Sequence, residues 1–370
     1  MLQDQQARRA SIFQLTTSAA IPSLPTKAID GQRVLITGAG GSIGSALAHL
    51  IAAQNPRQIV LLDASEQSLY RIDRDLAAPD SAVLGSVCDR ALLDEVFANH
   101  HPQVVFHAAA FKHVPLMEFN PIAALQNNAI GTFILAQTAA RYHVEQFVMV
   151  STDKAVEPSS IMGASKRIAE LVILAMGCKR TRFKSVRLGN VLASQGSVLP
   201  LFQSQIDRGQ PLSVTHPQAS RYFLTLDHAA QLLLLAISEE FAPSILIPKL
   251  GDPIRIEEIA TRMLANQPSE SRIEFTGLRP GDKLTEKLLS DEEYFLDDRK
   301  APLRPIHSES PSRDELEHAM QQLEQAAQQR NLPQLMRIVG HLVPDYEPSK
   351  VIRAAIQAAL HQHAPAGTNR

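Results

Sequence analysis

The chain has 370 residues, of which 45% are hydrophobic, a formal net charge of -2 and a pI near 6.7. That is enough for one large α/β unit or a main domain with a smaller appendage, and the near-neutral balance gives no field to gather nucleic acid or an acidic membrane. Two cysteines, Cys88 and Cys178, stand far apart without metal-ligand spacing, which argues against a zinc site or a disulfide and reads as two reduced, buried thiols in a cytoplasmic protein.

In chain order, residues 1–30 carry Arg8 and Arg9 ahead of a mixed stretch with no signal-peptide core, and read as an N-terminal arm. No apolar run approaches the roughly 18 residues of a membrane span; Leu232 to Ile237 is the densest and is short. Arg33 to Ile36 reads as a strand, followed by a loop in which Gly38, Gly41 and Gly44 recur at every third position with Ser42 and Ile43 among them. The apolar helix Ser45 to Ala53 comes next. Strand, glycine loop and helix together form a dinucleotide-binding turn, because glycines let backbone approach a pyrophosphate at the positive end of the helix.

The second strand, Gln58 to Leu62, ends at Asp63, about 20 residues past the glycines, where a carboxylate accepts bonds from the adenosine ribose and repels a 2′-phosphate. With Ser65 and Glu66 beside it this favours NAD over NADP, although Arg71 and Arg74 on the next helix are within reach of the same place. The third strand, Ala82 to Val87, leads to Asp89, which can bond the adenine amine, cap the following helix, or do both. The fourth, Gln103 to Phe106, runs into His107 and then Ala108, Ala109 and Ala110, small residues that let a cofactor lie against backbone. Lys112 and His113 follow, placed either to meet substrate phosphates or as solvated loop charges. A long helix, Pro121 to Tyr142, contains Asn127 and Asn128, residues of poor helix propensity, one of which is expected to bond backbone or substrate.

Phe147 to Val150 reads as a buried parallel strand delivering Ser151, Thr152, Asp153 and Lys154 to its carboxyl end, where open α/β sheets place their chemistry. Met162 and Lys166 are then spaced like the Tyr and Lys of the YxxxK pair of short-chain dehydrogenases, with the tyrosine missing. The helix Ser165 to Met176, the strand Lys184 to Leu188 and Asn190 complete the regular alternation. Beyond it, Ser197 and Val198, Arg221 and Arg279 fall in loop-rich segments that suit a smaller lobe, the two arginines being able to fork a diphosphate. The chain end is helical, with apolar stripes Leu316, Met320, Leu323, Ala326 and Val351, Ile352, Ala355, Ile356, Leu360, expected to pack on the lobe or on a second subunit.

The blocks TGAGGSIGS, HAAAFKHVPLMEFNP, STDKAVEPSSIMGASK, GNVLASQGSVLPLF, VTHPQASRYFLT, GLRPGDKL and VPDYEPS resemble the NAD-dependent nucleotide-sugar 4,6-dehydratases of bacterial polysaccharide and glycan synthesis. The similarity is greatest to UDP-N-acetylglucosamine 4,6-dehydratases with Met in place of the catalytic Tyr. It implies a Rossmann-like, doubly wound α/β fold: a NAD-binding core at 31–188, a substrate-binding lobe at 189–300 with a strand near 245–249 returning to the main sheet, and a helical extension at 301–370. It also implies a UDP-sugar substrate, a 4-keto-6-deoxy product with retained C5 configuration, and a homo-oligomer.

Carried over by position, Asp153 is the acid for the C6 hydroxyl, Lys154 the base for C5 and Lys166 the ribose-binding lysine, while Met162 cannot take a proton and Thr152 is the nearest hydroxyl to relay one. The cofactor set is Gly38, Gly41, Ser42, Ile43, Gly44, Asp63, Ser65, Asp89, Ala108, Ala109 and Lys166. The substrate set is Lys112, His113, Asn128, Asn190, Ser197, Val198, Arg221 and Arg279. For Lys154 to act as a base, desolvation and nearby positive charge have to lower its pKa. Two other functions remain open, a UDP-sugar 4-epimerase and a non-catalytic NAD-binding scaffold.

Overall fold

A computed structural model describes residues 29–76, 81–177, 180–265, 272–298 and 301–362. The expected N-terminal arm, apart from its last two residues, lies outside the described residues, as do Cys178 and the chain end from 363.

Seven strands run parallel: β1 (Arg33–Thr37), β2 (Gln58–Asp63), β3 (Ser81–Leu84), β4 (Val104–His107), β5 (Gln146–Thr152), β6 (Arg182–Leu188) and β7 (Ser244–Pro248). Two more, β8 (Tyr294–Phe295) and β9 (Leu303–His307), join antiparallel at one edge, so the order across the sheet is β8-β9-β7-β6-β5-β4-β1-β2-β3. The strands are apolar on both faces because each face is covered. Leu35, Val60, Val105 and Phe147 pack toward one helical layer, and Val34, Ile36, Leu61 and Val148 toward the other, the alternation a pleated strand imposes. Between β1 and β4 the strand order reverses, opening a crevice at the carboxyl ends; Thr37, His107 and Met149 are in register there.

Several elements differ from the sequence reading for identifiable reasons. The third strand stops at Leu84 because the Ser86 hydroxyl accepts the Cys88 N–H and starts a turn. The helix expected from Pro121 to Tyr142 is interrupted by a π-turn, Leu125–Ile130, in which Asn128 turns inward and its carbonyl accepts the Thr132 hydroxyl at 2.6 Å. Residues 303–307, expected at the start of a helical extension, are a strand of the main sheet. Of the three helices that follow, Arg313–Gln328 packs against the π-turn and the helix Ile161–Ala175, Leu332–Leu342 packs against that helix and Arg313–Gln328, and Lys350–Gln362 packs on Leu332–Leu342, so the group sits on the main domain rather than on the lobe. Leu316, Met320 and Leu323 are buried there, whereas in the last stripe Ile352 is buried and Ala355 and Leu360 are exposed.

A separate small core holds the lobe. Leu199, Phe202 and Ile206 of the helix Val198–Asp207 meet Leu212 and Val214 and, from the helix Ile256–Leu264, Ile259 and Met263. The helix Leu226–Ala236 and β7, which interrupt this part of the sequence, belong to the main layers. Among the described residues no helix is long and apolar enough to cross a membrane.

Candidate active site

The glycine loop joins β1 to the helix Ser42–Ala52. Gly38 has φ 68°, and a Cβ on it would lie 2.5 Å from the Ala109 nitrogen, so only glycine allows the loop and the end of β4 to meet this closely. Gly41 caps the helix without a side chain and its first turn holds no acid, which leaves N–H groups and the positive dipole end open to an anion. Asp63 braces the loop: its Oδ2 accepts the Gly40 N–H at 2.9 Å and its Oδ1 the Ser65 N–H at 2.8 Å, leaving further lone pairs for hydroxyl donors. Ser65 caps the helix Glu66–Asp75, and Asp89 caps Arg90–His100 by accepting the Leu92 N–H. These features fit a dinucleotide laid across the crevice.

Inside, a cleft of about 470 Å³ is lined by Gly38, Gly41, Ser42, Ile43, Gly44 and Ala108 on one side. The other side is made by Lys112, His113, Thr152, Lys154, Met162, Lys166, Asn190 and Ser197. Ala109, whose nitrogen faces Gly38, is absent from the lining, as are Asp63, Ser65 and Asp89, which stand outside it at the ends of β2 and β3.

At the end of β5 the chain leaves strand geometry after Thr152 and makes a single 3₁₀ turn, Asp153–Ala155. Asp153 is wholly buried and does not line the cleft; Thr152 and Lys154 do. Its Oδ1 accepts both neighbours, the Thr152 hydroxyl at 2.9 Å and the Lys154 ammonium at 2.9 Å, while its Oδ2 is buried without a hydrogen-bond partner. Lys154 also donates to Asn190 Oδ1 at 3.0 Å and lies 3.6 Å from Glu286. Burial pushes the Lys154 ammonium toward losing its proton, but Asp153 and Glu286 outweigh it and hold the pKa above the ordinary value. That corrects the expected lowering: the charge of Asp153 and then that of Glu286, a buried carboxylate distant in sequence, hold the proton on.

Met162 lies in the first turn of the helix Ile161–Ala175, capped by the Ser160 hydroxyl, and is almost fully buried against the cleft. Lys166, one turn on, is buried; desolvation lowers its pKa to about 8 despite the charge of Glu170. Beneath the site, Ser151 donates to Glu170 at 2.7 Å, and Arg187 joins Glu170 to Glu293, so an ion network with a wholly enclosed Arg187–Glu170 pair fixes the root of the 151–154 segment.

Four expected substrate contacts are placed otherwise. Asn128 is fully buried: its carbonyl oxygen accepts the Phe111 N–H at 2.8 Å, and its amide donates to Phe111 O and the Ser165 hydroxyl, so it holds the 108–113 loop and not a ligand. Arg221 is turned into the lobe, donating to the carbonyls of Ser220, Lys283 and Leu284. Arg279 is exposed and paired with Asp282 at 2.8 Å. Neither arginine lines the cleft: Arg221 is taken up by carbonyls of its own strand and of the 283–284 segment, and Arg279 by Asp282 three residues on. Val198, first residue of the helix Val198–Asp207, is also outside the lining, though Ser197 beside it lines the cleft with a buried hydroxyl that has no partner. Lys112 bonds across the mouth to Gln195 O at 2.7 Å, and burial lowers its pKa; burial and then Lys112 lower that of His113. Cys88 is half-buried rather than buried, its thiol pKa raised by desolvation. Among the described residues no three His, Cys, Asp or Glu side chains gather to hold a metal.

Sequence reasoning missed Glu286, Glu170 and Arg187. Glu286 follows the GLRPGDKL block by two residues, and Glu170 is the one charge in an otherwise apolar helical run, signals visible only once a site is suspected nearby.

Comparison with known proteins decides the family. Residues 34–302 match the polysaccharide biosynthesis protein family. This chain belongs to that family. A similar member is the capsular polysaccharide biosynthesis protein CapD of Staphylococcus aureus, 42% identical over 282 residues, which cover 73% of this chain and 47% of CapD. The family member described here thus spans about half the length of that relative. A UDP-glucose 4-epimerase of Rickettsia rickettsii is 34% identical, covering 70% of this chain and 78% of its own. Among solved structures, Pen from Bacillus thuringiensis superposes with a TM-score of 0.69 at 27% identity, covering 81% of this chain and 99% of Pen. The doubly wound fold is therefore that of a known structural group.

Proposed function

We propose that this polysaccharide biosynthesis family member is a NAD-dependent 4,6-dehydratase of a UDP-sugar, with UDP-N-acetylglucosamine as the first substrate to test. One observation carries the reading: in the cleft where a dehydrogenase tyrosine would stand there is Met162, and beside it Thr152 is hydrogen-bonded to a fully enclosed carboxylate, Asp153, that also holds Lys154. A threonine hydroxyl is no base, but one that donates to a buried carboxylate can pass a substrate proton inward while accepting the next.

When bound, NAD supplies a hydride acceptor at C4 and a hydride donor at C6. The glycine loop and the open helix end would hold its pyrophosphate, Asp63 its adenosine ribose, and Lys166 its nicotinamide ribose. Thr152 accepts the proton of the C4 hydroxyl and passes its own to Asp153. That neutralises the closer of the two carboxylates that hold Lys154 charged, and so lowers the lysine's hold on its proton. Once it has given that proton up to a neighbouring acceptor or to solvent, neutral Lys154 removes the proton made acidic by the C4 ketone. Asp153, recessed behind Thr152, releases its proton outward through the same hydroxyl as the C6 oxygen leaves as water. Lys154 finally returns its proton to C5. At the diphosphate, Lys112, the unpartnered Ser197 hydroxyl and the start of the helix Val198–Asp207 offer donors.

Incubation with UDP-N-acetylglucosamine in deuterated water, followed by NMR of the product, tests this. The expected product is a UDP-4-keto-6-deoxy sugar with one deuterium at C5 and retained configuration. The similarity to the Rickettsia protein favours the second reading, a 4-epimerase, which would return an isomer with no loss of water and no label at C5.

A further inference from the structure

Lys154 carries a proton in the ligand-free site, yet a base for C5 has to be without one, and Asp153 is occupied with the C4 proton. We propose that Glu286 is the proton store of the site: a positioning residue that takes the Lys154 proton when substrate is oxidised and returns it after turnover. The inference rests on the reading of Lys154 as the C5 base.

Three observations point to Glu286. Its side chain is 2% exposed, and its Oε1 lies 3.6 Å from Lys154 Nζ and 3.6 Å from Arg221 Nε. Its Oε2 is buried with no hydrogen bond and lies 3.9 Å from the Lys283 ammonium. An enclosed carboxylate with an unused oxygen has capacity for one proton, and at 3.6 Å a small approach or one bridging water connects it to the lysine. The charged groups around the pair are Asp153, Arg221 and Lys283, with Glu157 acting on Lys283. Burial holds the Glu286 pKa above the ordinary carboxyl value against the pull of Lys154, which brings the two proton affinities toward each other.

The step balances without a further reactant. An N–H bond of Lys154 breaks as an O–H bond of Glu286 forms, and the freed nitrogen lone pair takes the C5 proton. Because the proton stays within the pair, the fraction of neutral Lys154 does not depend on pH between the two titrations.

The pH profile of kcat tests it. Wild type should show a plateau through neutral pH. In Glu286→Gln the lysine must lose its proton to solvent, so kcat should fall about tenfold for each unit below the Lys154 titration and recover in alkali. Glu286→Asp, which keeps the carboxylate, should restore a plateau. A Glu286→Gln profile of wild-type shape, at whatever height, overturns the proposal, since a merely structural role scales all pH values alike. Should that variant not fold, infrared difference spectra of wild type labelled with ¹³C-glutamate decide: mixing with UDP-N-acetylglucosamine should raise a protonated-carboxyl band that the label shifts, and its absence overturns the store. Wild type that neither dehydrates the sugar nor labels C5 would instead remove the dehydratase reading itself.

Discussion

Arg187 grips Glu170 through two parallel hydrogen bonds, Nε to Oε1 at 2.8 Å and Nη2 to Oε2 at 2.7 Å, with both side chains wholly enclosed. The guanidinium also reaches Glu293, and Glu170 in turn accepts Ser151, so a bond between β6 and a helix determines where β5 delivers its last residues. Breaking one side of a buried pair strands the other charge. Glu170→Ala should therefore destabilise the fold by about 3–5 kcal/mol, read from urea unfolding. Replacing Glu170, Arg187 and Glu293 together by Met, which leaves no unpaired partner among the three, should recover much of that loss.

Thr152→Val keeps the shape and removes the hydroxyl that couples substrate to Asp153. kcat should drop about 100-fold or more with little change in KM, and Thr152→Ser should retain most activity. Steady-state kinetics on the three proteins measures this, and equal rates for the valine and wild-type enzymes would exclude the relay.

Lys154→Ala should bind NAD yet stop deuterium from entering C5. Asp153→Asn acts earlier, because the recessed carboxylate is what Thr152 donates to. It should therefore lose C4 oxidation and C5 labelling together, and not elimination alone. Mass spectra of recovered substrate and product in deuterated water separate the two patterns.

Asp63 predicts a preference for NAD over NADP, to be checked by calorimetric titration of both. Since the same carboxylate braces Gly40 and Ser65, Asp63→Ala should weaken both cofactors and not simply exchange one for the other.

Lys166 gives a stability signature. Its folded pKa of about 8 lies below the ordinary lysine value of 10.5, so the unfolded chain binds more protons between these values and stability rises with pH across that window. Below about 8 the penalty is fully present. Lys166→Met should accordingly be more stable than wild type at pH 7, with a gap that narrows as pH climbs toward 10.5.

Much of this was legible in the residues. The glycine spacing, Asp63 and the run from Ser151 to Lys166 fall at strand ends, where local pattern alone specifies backbone. What stayed hidden depends on segments distant in sequence. Nothing near Lys154 announces Glu286, which arrives from more than 100 residues further along the chain. Arg221 and Arg279 carry the right chemistry for phosphate, but the carbonyls of Lys283 and Leu284 consume the first and Asp282 the second. Asn128 has the composition of a ligand contact, and only the π-turn shows it facing Phe111.

Gln195 ties three remote stretches into one clasp: its N–H meets the Ser42 hydroxyl at 2.9 Å, and its carbonyl takes the Lys112 ammonium at 2.7 Å. The second catch is charge-assisted and the stronger. A coenzyme seated on the glycine loop beneath such a clasp would escape slowly. A dehydrogenase that must swap spent coenzyme for fresh after every round would be throttled by it. An enzyme that regenerates its coenzyme within each round loses no throughput, and gains a reactive centre that stays loaded when free coenzyme is scarce.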